Sequence, residues 1–136
     1  MGTRSLTVVV DKSWDKETEL CVMYRQMDGY PSGHGAELKD FLKGMRIVNG
    51  INSSLRGTKF ANGMPCLAAQ MVAHFKTDRE GGFYLHPAGA RGYGEEYLYV
   101  ISGKFGDAEP HLEVFGSDEA PIYSGPASGF DTRAAA

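Results

Sequence analysis

The stretch from Leu20 to Val48 reads LCVMYRQMDGYPSGHGAELKDFLKGMRIV, and it contains the patterns of a strand, a turn and a helix in one run. The segment Glu19–Met27 is apolar on both faces, which is typical of an interior strand. Asp28-Gly29 and the Pro-Ser-Gly-His-Gly sequence that follows break the strand. From His34 to Val48 apolar residues recur every three or four positions, which predicts an amphipathic helix that stops at Asn49-Gly50.

The rest of the chain predicts strands on both sides of a second helix. Ser5–Val10 alternates as a strand does, Asn49–Gly63 is a long polar loop, and Pro65–Lys76 has the pattern of a helix. Four later strands are predicted at Phe83–His86, Glu95–Ser102, His111–Phe115 and Ala120–Ser124. This order predicts one α+β domain over residues 1–124, with a mostly antiparallel sheet and both helices on one face. Residues 125–136 have no core pattern and are expected to form a loosely ordered tail.

The composition limits the classes of partner. The chain has 136 residues and a formal net charge of −3, which argues against a nucleic-acid polymer as partner. No apolar run approaches the roughly 20 residues of a membrane-spanning helix, so no membrane partner is expected. Cys21 and Cys66 lie in apolar settings and are interpreted as reduced thiols of a cytoplasmic protein. The histidines are scattered without metal-ligand spacing, so neither a metal nor a cofactor is predicted.

The corner between strand and helix, Tyr24–Gly35, is the main candidate site. Helix N-termini carry unpaired N–H groups that attract anions, and Arg25 could face a phosphate or carboxylate beside a stacking tyrosine. The alternative is that Arg25 forms a structural pair with Asp28. His34 lies between two glycines in this turn and is interpreted either as a ligand contact or as a surface residue without a role. The residues predicted to bind a small anionic ligand are Arg4, Tyr24, Arg25, Gln26, Asp28, Tyr30, His34, Arg56, Arg91 and Tyr93.

A second glycine-rich segment, Pro87–Glu96, reads PAGARGYGEE. It places Arg91 and Tyr93 on a loop between two predicted strands, where they could clamp a planar anion by charge and stacking. An ordinary long hairpin loop, with Arg91 paired to Glu95 or Glu96, is the alternative.

Four segments, MGTRSL, YRQ-x-DGYPSGHG, ANGM-x-CLAAQ-x-VAHFK and EEYLYVIS, resemble a family of small phage and bacterial proteins. The resemblance spans Met1 to about Ser102. It implies a phage-type accessory protein in the host cytoplasm, with counter-defence as an expected role, and it carries over no catalytic residue.

Three functions are compatible with these patterns. The first is a homo-oligomeric binding protein that sequesters a nucleotide or ADP-ribose-like ligand without turning it over. The second is a small hydrolase or transferase with His34 as acid/base and Asp28 as its orienting carboxylate. The third is an inhibitor of a host protein that uses exposed aromatic residues, with candidates Tyr84, Tyr97, Tyr99 and Phe115. Both ligand hypotheses predict that Arg25, His34 and Arg91 converge on one cavity.

Overall fold

Eight strands and two α-helices make up the structure, a computed structural model that describes residues 2–77 and 79–133. In chain order they are β1 (Ser5–Asp11), β2 (Thr18–Arg25), α1 (Ala36–Leu42), β3 (Arg46–Val48), β4 (Phe60–Asn62), α2 (Met64–Lys76), β5 (Phe83–His86), β6 (Tyr97–Gly103), β7 (His111–Phe115) and β8 (Pro121–Pro126). A five-residue π-helical turn, Pro31–Gly35, precedes α1.

The main sheet has six strands in the order β5-β2-β1-β6-β7-β8. Its neighbours are antiparallel except for β1 and β6, which run parallel. A separate parallel pair joins β3 to β4. The α+β class with a mostly antiparallel sheet is therefore confirmed, and β2 lies inside the sheet as its apolar pattern predicted.

The two faces of the sheet carry separate apolar clusters, because successive side chains of a strand point to opposite sides. The helix-covered face buries residues such as Val9, Met23 and Ile101 against both helices. On the other side, here called the outer face, Leu6 and Val8 belong to a smaller cluster. Both helices thus pack on one face, as predicted.

The first helix is shorter than the amphipathic pattern suggested. It ends at Leu42, and Gly44 then adopts a left-handed φ of 71°, a conformation that favours glycine and reverses the chain. Met45 is buried beyond the helix, and Val48 belongs to β3 instead of the last helical turn. In the described ranges, neither helix has both the length and the apolarity that crossing a membrane requires.

The C-terminal segment packs further than the predicted boundary at residue 124. Strand β8 continues to Pro126, and a 3₁₀ turn at Ala127–Gly129 follows it. Ala127 and Phe130 are buried in the core of the helix-covered face. The expectation of a loose tail from residue 125 is therefore wrong as far as Phe130, and residues 134–136 lie outside the described residues.

Candidate ligand-binding site

Backbone hydrogen bonds close the corner between β2 and α1. The N–H of His34 donates to the carbonyl oxygen of Asp28 at 2.8 Å, and the N–H of Gly33 donates to that of Tyr30 at 2.9 Å. The helix that follows has only seven residues. These amides are engaged within the turn, so they are not among the free N–H groups that the predicted anion site requires.

His34 is fully buried beneath this corner. Its Nδ1 lies 3.1 Å from Nη1 of Arg25, and its Nε2 lies 2.7 Å from Oγ1 of Thr7. A guanidinium only donates, so Nδ1 accepts from Arg25 and the Nε2–H donates to Thr7. Burial, assisted by the charge of Arg25, lowers the pKa of His34 to about 3. His34 is a neutral structural residue, and the hypothesis that it acts as an acid/base on a ligand is not supported.

Arg25 is held on three sides and is only 5% exposed. Besides its bond to His34, its Nε donates to the carbonyl oxygen of Met27 at 2.7 Å, and its Nη1 lies 3.2 Å from Oε2 of Glu37 on α1. The predicted pair with Asp28 is not formed. The carboxylate of Asp28 instead accepts from the Tyr30 hydroxyl at 3.3 Å.

Arg25 also lines an open space of about 180 Å³, which we call the guanidinium cleft. The cleft is lined by Arg25, Met27, Asp28, Arg79, Gly82 and Phe83. The Cζ atoms of Arg25 and Arg79 lie 4.9 and 5.0 Å from the centre of the Phe83 ring. Within residues 2–77 and 79–133, no carboxylate forms a salt bridge with Arg79, and Nη2 of Arg25 has no hydrogen-bond partner.

A second space of about 180 Å³ adjoins the cleft, and we call it the apolar slot. It is lined by Met23, Val72, Lys76, Phe83, Tyr84 and Leu85. Phe83 belongs to both spaces. Nζ of Lys76 donates to the carbonyl oxygen of Phe83 at 3.0 Å and lies 5.4 Å from the centre of the Tyr84 ring.

The other predicted ligand residues lie elsewhere, mostly on the outer face. Arg91 forms a two-pronged pair with Glu19, at 2.9 and 3.1 Å, and this hydrogen bonding holds the pKa of the Glu19 carboxyl below its usual value. Tyr93 stacks on His86 with ring centres 4.2 Å apart and lies 5.9 Å from the ring of Tyr24. The loop from residue 87 to 96 therefore covers the outer face, and we call it the cover loop. Arg91 pairs with Glu19 and not, as the hairpin-loop alternative had predicted, with Glu95 or Glu96.

The remaining predicted residues do not connect the guanidinium cleft with the predicted residues on the outer face. Arg56 lines a shallow space beside Ile51 in the exposed loop before β4. The exposed Gln26 donates its backbone N–H to the carbonyl oxygen of Gly82. Arg4 lies against Gly94 in the cover loop. The predicted residues are thus divided among three places, and the expectation that Arg25, His34 and Arg91 share a cavity is wrong.

The division follows from strand geometry. Tyr24 and Arg25 are neighbours on β2, so their side chains point to opposite faces of the sheet. Two functional candidates were missed, Arg79 and Phe83, although the segment from Lys76 to Tyr84 holds two cations and two adjacent aromatics across a turn. That combination of cations and aromatics was the sequence signal that could have identified Arg79 and Phe83. Of the aromatics proposed for protein contacts, Tyr99 is fully buried.

The pair between Arg91 and Glu19 is expected to contribute only about 0.2–1 kcal/mol, because both side chains are partly exposed and salt screens them. A double-mutant cycle with Arg91→Gln, Glu19→Gln and the double variant, followed by urea unfolding, measures this coupling. The coupling should shrink in 1 M salt. A coupling above about 2 kcal/mol would instead show that the pair anchors the cover loop.

In the part of the chain that the structure describes, no three His, Cys, Asp or Glu side chains are grouped as metal ligands would be. No protein-family model, curated protein or solved structure matches the chain. The family resemblance of its four segments therefore remains an expectation. The guanidinium cleft is the place where two arginine side chains, Arg25 and Arg79, meet over one aromatic ring.

Proposed function

We propose that this protein binds a small phosphate-bearing ligand at the guanidinium cleft and sequesters it unaltered. The observation that carries the proposal is the pair of guanidinium groups, from Arg25 and Arg79, over the single ring of Phe83. Planar guanidinium groups match the geometry of phosphate oxygens and hold them through charge-assisted hydrogen bonds. Asp28 in the lining and Glu37 beside Arg25 add two carboxylates to the two guanidinium groups, so the preference for an anion rests on the hydrogen-bonding geometry of the guanidinium groups and not on an excess of charge.

The buried side chain of Arg25 is preorganised for binding an anion. Arg25 is fixed by Met27, His34 and Glu37 through Nε and Nη1, so little conformational entropy remains to be lost on binding. Arg79 is exposed in the connection between α2 and β5 and supplies a second guanidinium from the solvent side. Arg25 then contacts the anion as a rigid cation, and Arg79 contacts it as a flexible one.

Sequestration is favoured over turnover because His34, the acid/base of the enzymatic alternative, does not line the cleft. Of that proposed pair, only Asp28 reaches the lining. A phage accessory role in the host cytoplasm is proposed on the family resemblance alone.

Substitution of Arg79 is the direct test. Arg79→Gln is expected to weaken binding of AMP, ADP-ribose or inorganic phosphate by about 10- to 100-fold, since it removes a hydrogen bond to a charged group worth roughly 1.5–3 kcal/mol. Isothermal titration calorimetry in a phosphate-free buffer measures this. Thermal unfolding should be unchanged, because Arg79 is exposed.

Arg56→Gln is the matched control, an exposed arginine outside the cleft, and should bind as the wild type does. Equal affinity of the Arg79→Gln variant, or no binding of any of the three probes by the wild type, would refute the proposal. Ligand recovered after heating should have an unchanged mass. A converted product that disappears with Asp28→Asn would favour the hydrolase alternative.

A further inference from the structure

We infer that the ligand has two parts and that the apolar slot receives a planar aromatic ring while the guanidinium cleft receives the anion. The ligand class is therefore a nucleoside monophosphate or a larger nucleotide, in preference to a free inorganic anion or a sugar phosphate. This inference rests on the proposed function and adds a second subsite to it.

The two spaces follow one another along the same pair of strands. Arg25 on β2 lies opposite Phe83 on β5, and Met23 lies opposite Leu85 in the same register. All four side chains point to the helix-covered face, since positions two apart on a strand share a face. The strand positions that line the two spaces are therefore two residues, or about 7 Å, apart, and Phe83 lines both spaces.

The volumes of the cleft and the slot favour a single ligand that occupies both. Each space measures about 180 Å³, which is below the roughly 300–1,000 Å³ typical of small-molecule pockets. Together they reach the lower part of that range. A single ligand that crosses Phe83 would fill both, whereas an inorganic anion would occupy the cleft alone.

The chemistry of the slot suits a ring. Met23, Val72 and Leu85 supply apolar walls, and the Phe83 ring supplies an aromatic surface at the boundary with the cleft. Tyr84 borders the slot only from the sheet edge, because it lies opposite Tyr24 with the two ring centres 6.0 Å apart. Tyr84 is 44% exposed and Leu85 is 60% exposed on the edge strand, so a bound ring would cover apolar surface that now faces water. Lys76, held by the carbonyl of Phe83, places a cation at the rim of the slot beside the Tyr84 ring.

Calorimetry with the four common nucleoside monophosphates and with ribose 5-phosphate tests the inference. At least one nucleotide should bind about 10-fold or more tightly than ribose 5-phosphate, because only the nucleotide gains stacking and apolar contacts. In the Leu85→Ser variant the affinity for that nucleotide should fall by about 3- to 10-fold, while ribose 5-phosphate should bind as before. Nuclear Overhauser contacts between the base protons and the methyl groups of Leu85 and Val72 should also appear.

Ile51→Ser is the matched control, since Ile51 is 67% exposed and lies outside both spaces. If ribose 5-phosphate binds as tightly as every nucleotide and Leu85→Ser changes nothing, the inference is wrong. The proposed function would still stand in that case if Arg79→Gln weakens all the phosphate probes. Absence of binding by every phosphate probe would overturn both.

Discussion

Replacement of Phe130 by alanine is expected to lower the free energy of unfolding by about 3–5 kcal/mol, the cost typical of removing a buried aromatic ring. Phe130 is 1% exposed, and its ring centre lies 5.2 Å from that of Tyr123. Its carbonyl oxygen also accepts from Nζ of Lys39 on α1 at 2.7 Å. The segment after β8 therefore joins the first helix to the sheet.

Chemical denaturation followed by circular dichroism measures this change. Arg133→Ala is the control three residues later, because the Arg133 side chain is 89% exposed and should contribute almost nothing. A loss below about 1 kcal/mol for Phe130→Ala would show that the segment is loose in solution, as the sequence pattern suggested.

Acidification is expected to destabilise the protein through His34. The unfolded chain protonates this imidazole near its ordinary pKa of 6.5, whereas the folded protein does so only near 3. Between these values the unfolded state binds one more proton, so stability is complete above pH 6.5 and falls as the pH is lowered. The loss is about 1.4 kcal/mol per pH unit, or about 3 kcal/mol between pH 7 and pH 4.

A comparison with His34→Gln isolates this effect. Glutamine can accept from Arg25 and donate to Thr7 but does not titrate, so its stability deficit relative to the wild type should shrink by about 3 kcal/mol from pH 7 to pH 4. The charged group facing the ring is Arg25, with Glu37 on its far side, and the nearby Tyr99 has a pKa raised by burial and stays neutral throughout. A constant deficit across this range would show that His34 takes up its proton in the folded state.

The strands could be predicted from sequence because alternation and apolar runs are local signals. The predicted first helix was too long because Met45 and Val48 continue its apolar period. The pattern does not show that Gly44 takes a left-handed conformation. The parallel pairing of β1 with β6 could not be predicted, since the two strands are distant in the chain.

The candidate site was predicted in part. Arg25 and His34 were conspicuous as polar groups beside an apolar strand, but their partners Thr7 and Glu37 come from other elements of the fold. Sequence proximity pointed to Asp28 instead. Arg79 became a candidate only when the turn before β5 placed it over Phe83.

The central place of β1 has a consequence for the order of assembly. β1 can form a hairpin with β2 as soon as both strands are synthesised. Its other edge pairs with β6, which begins only at Tyr97, so the middle of the sheet closes late. Such long-range parallel pairing must overcome a large loop-closure entropy and slows folding. During synthesis the ribosome therefore holds a chain in which β1 has one open edge until β6 has emerged.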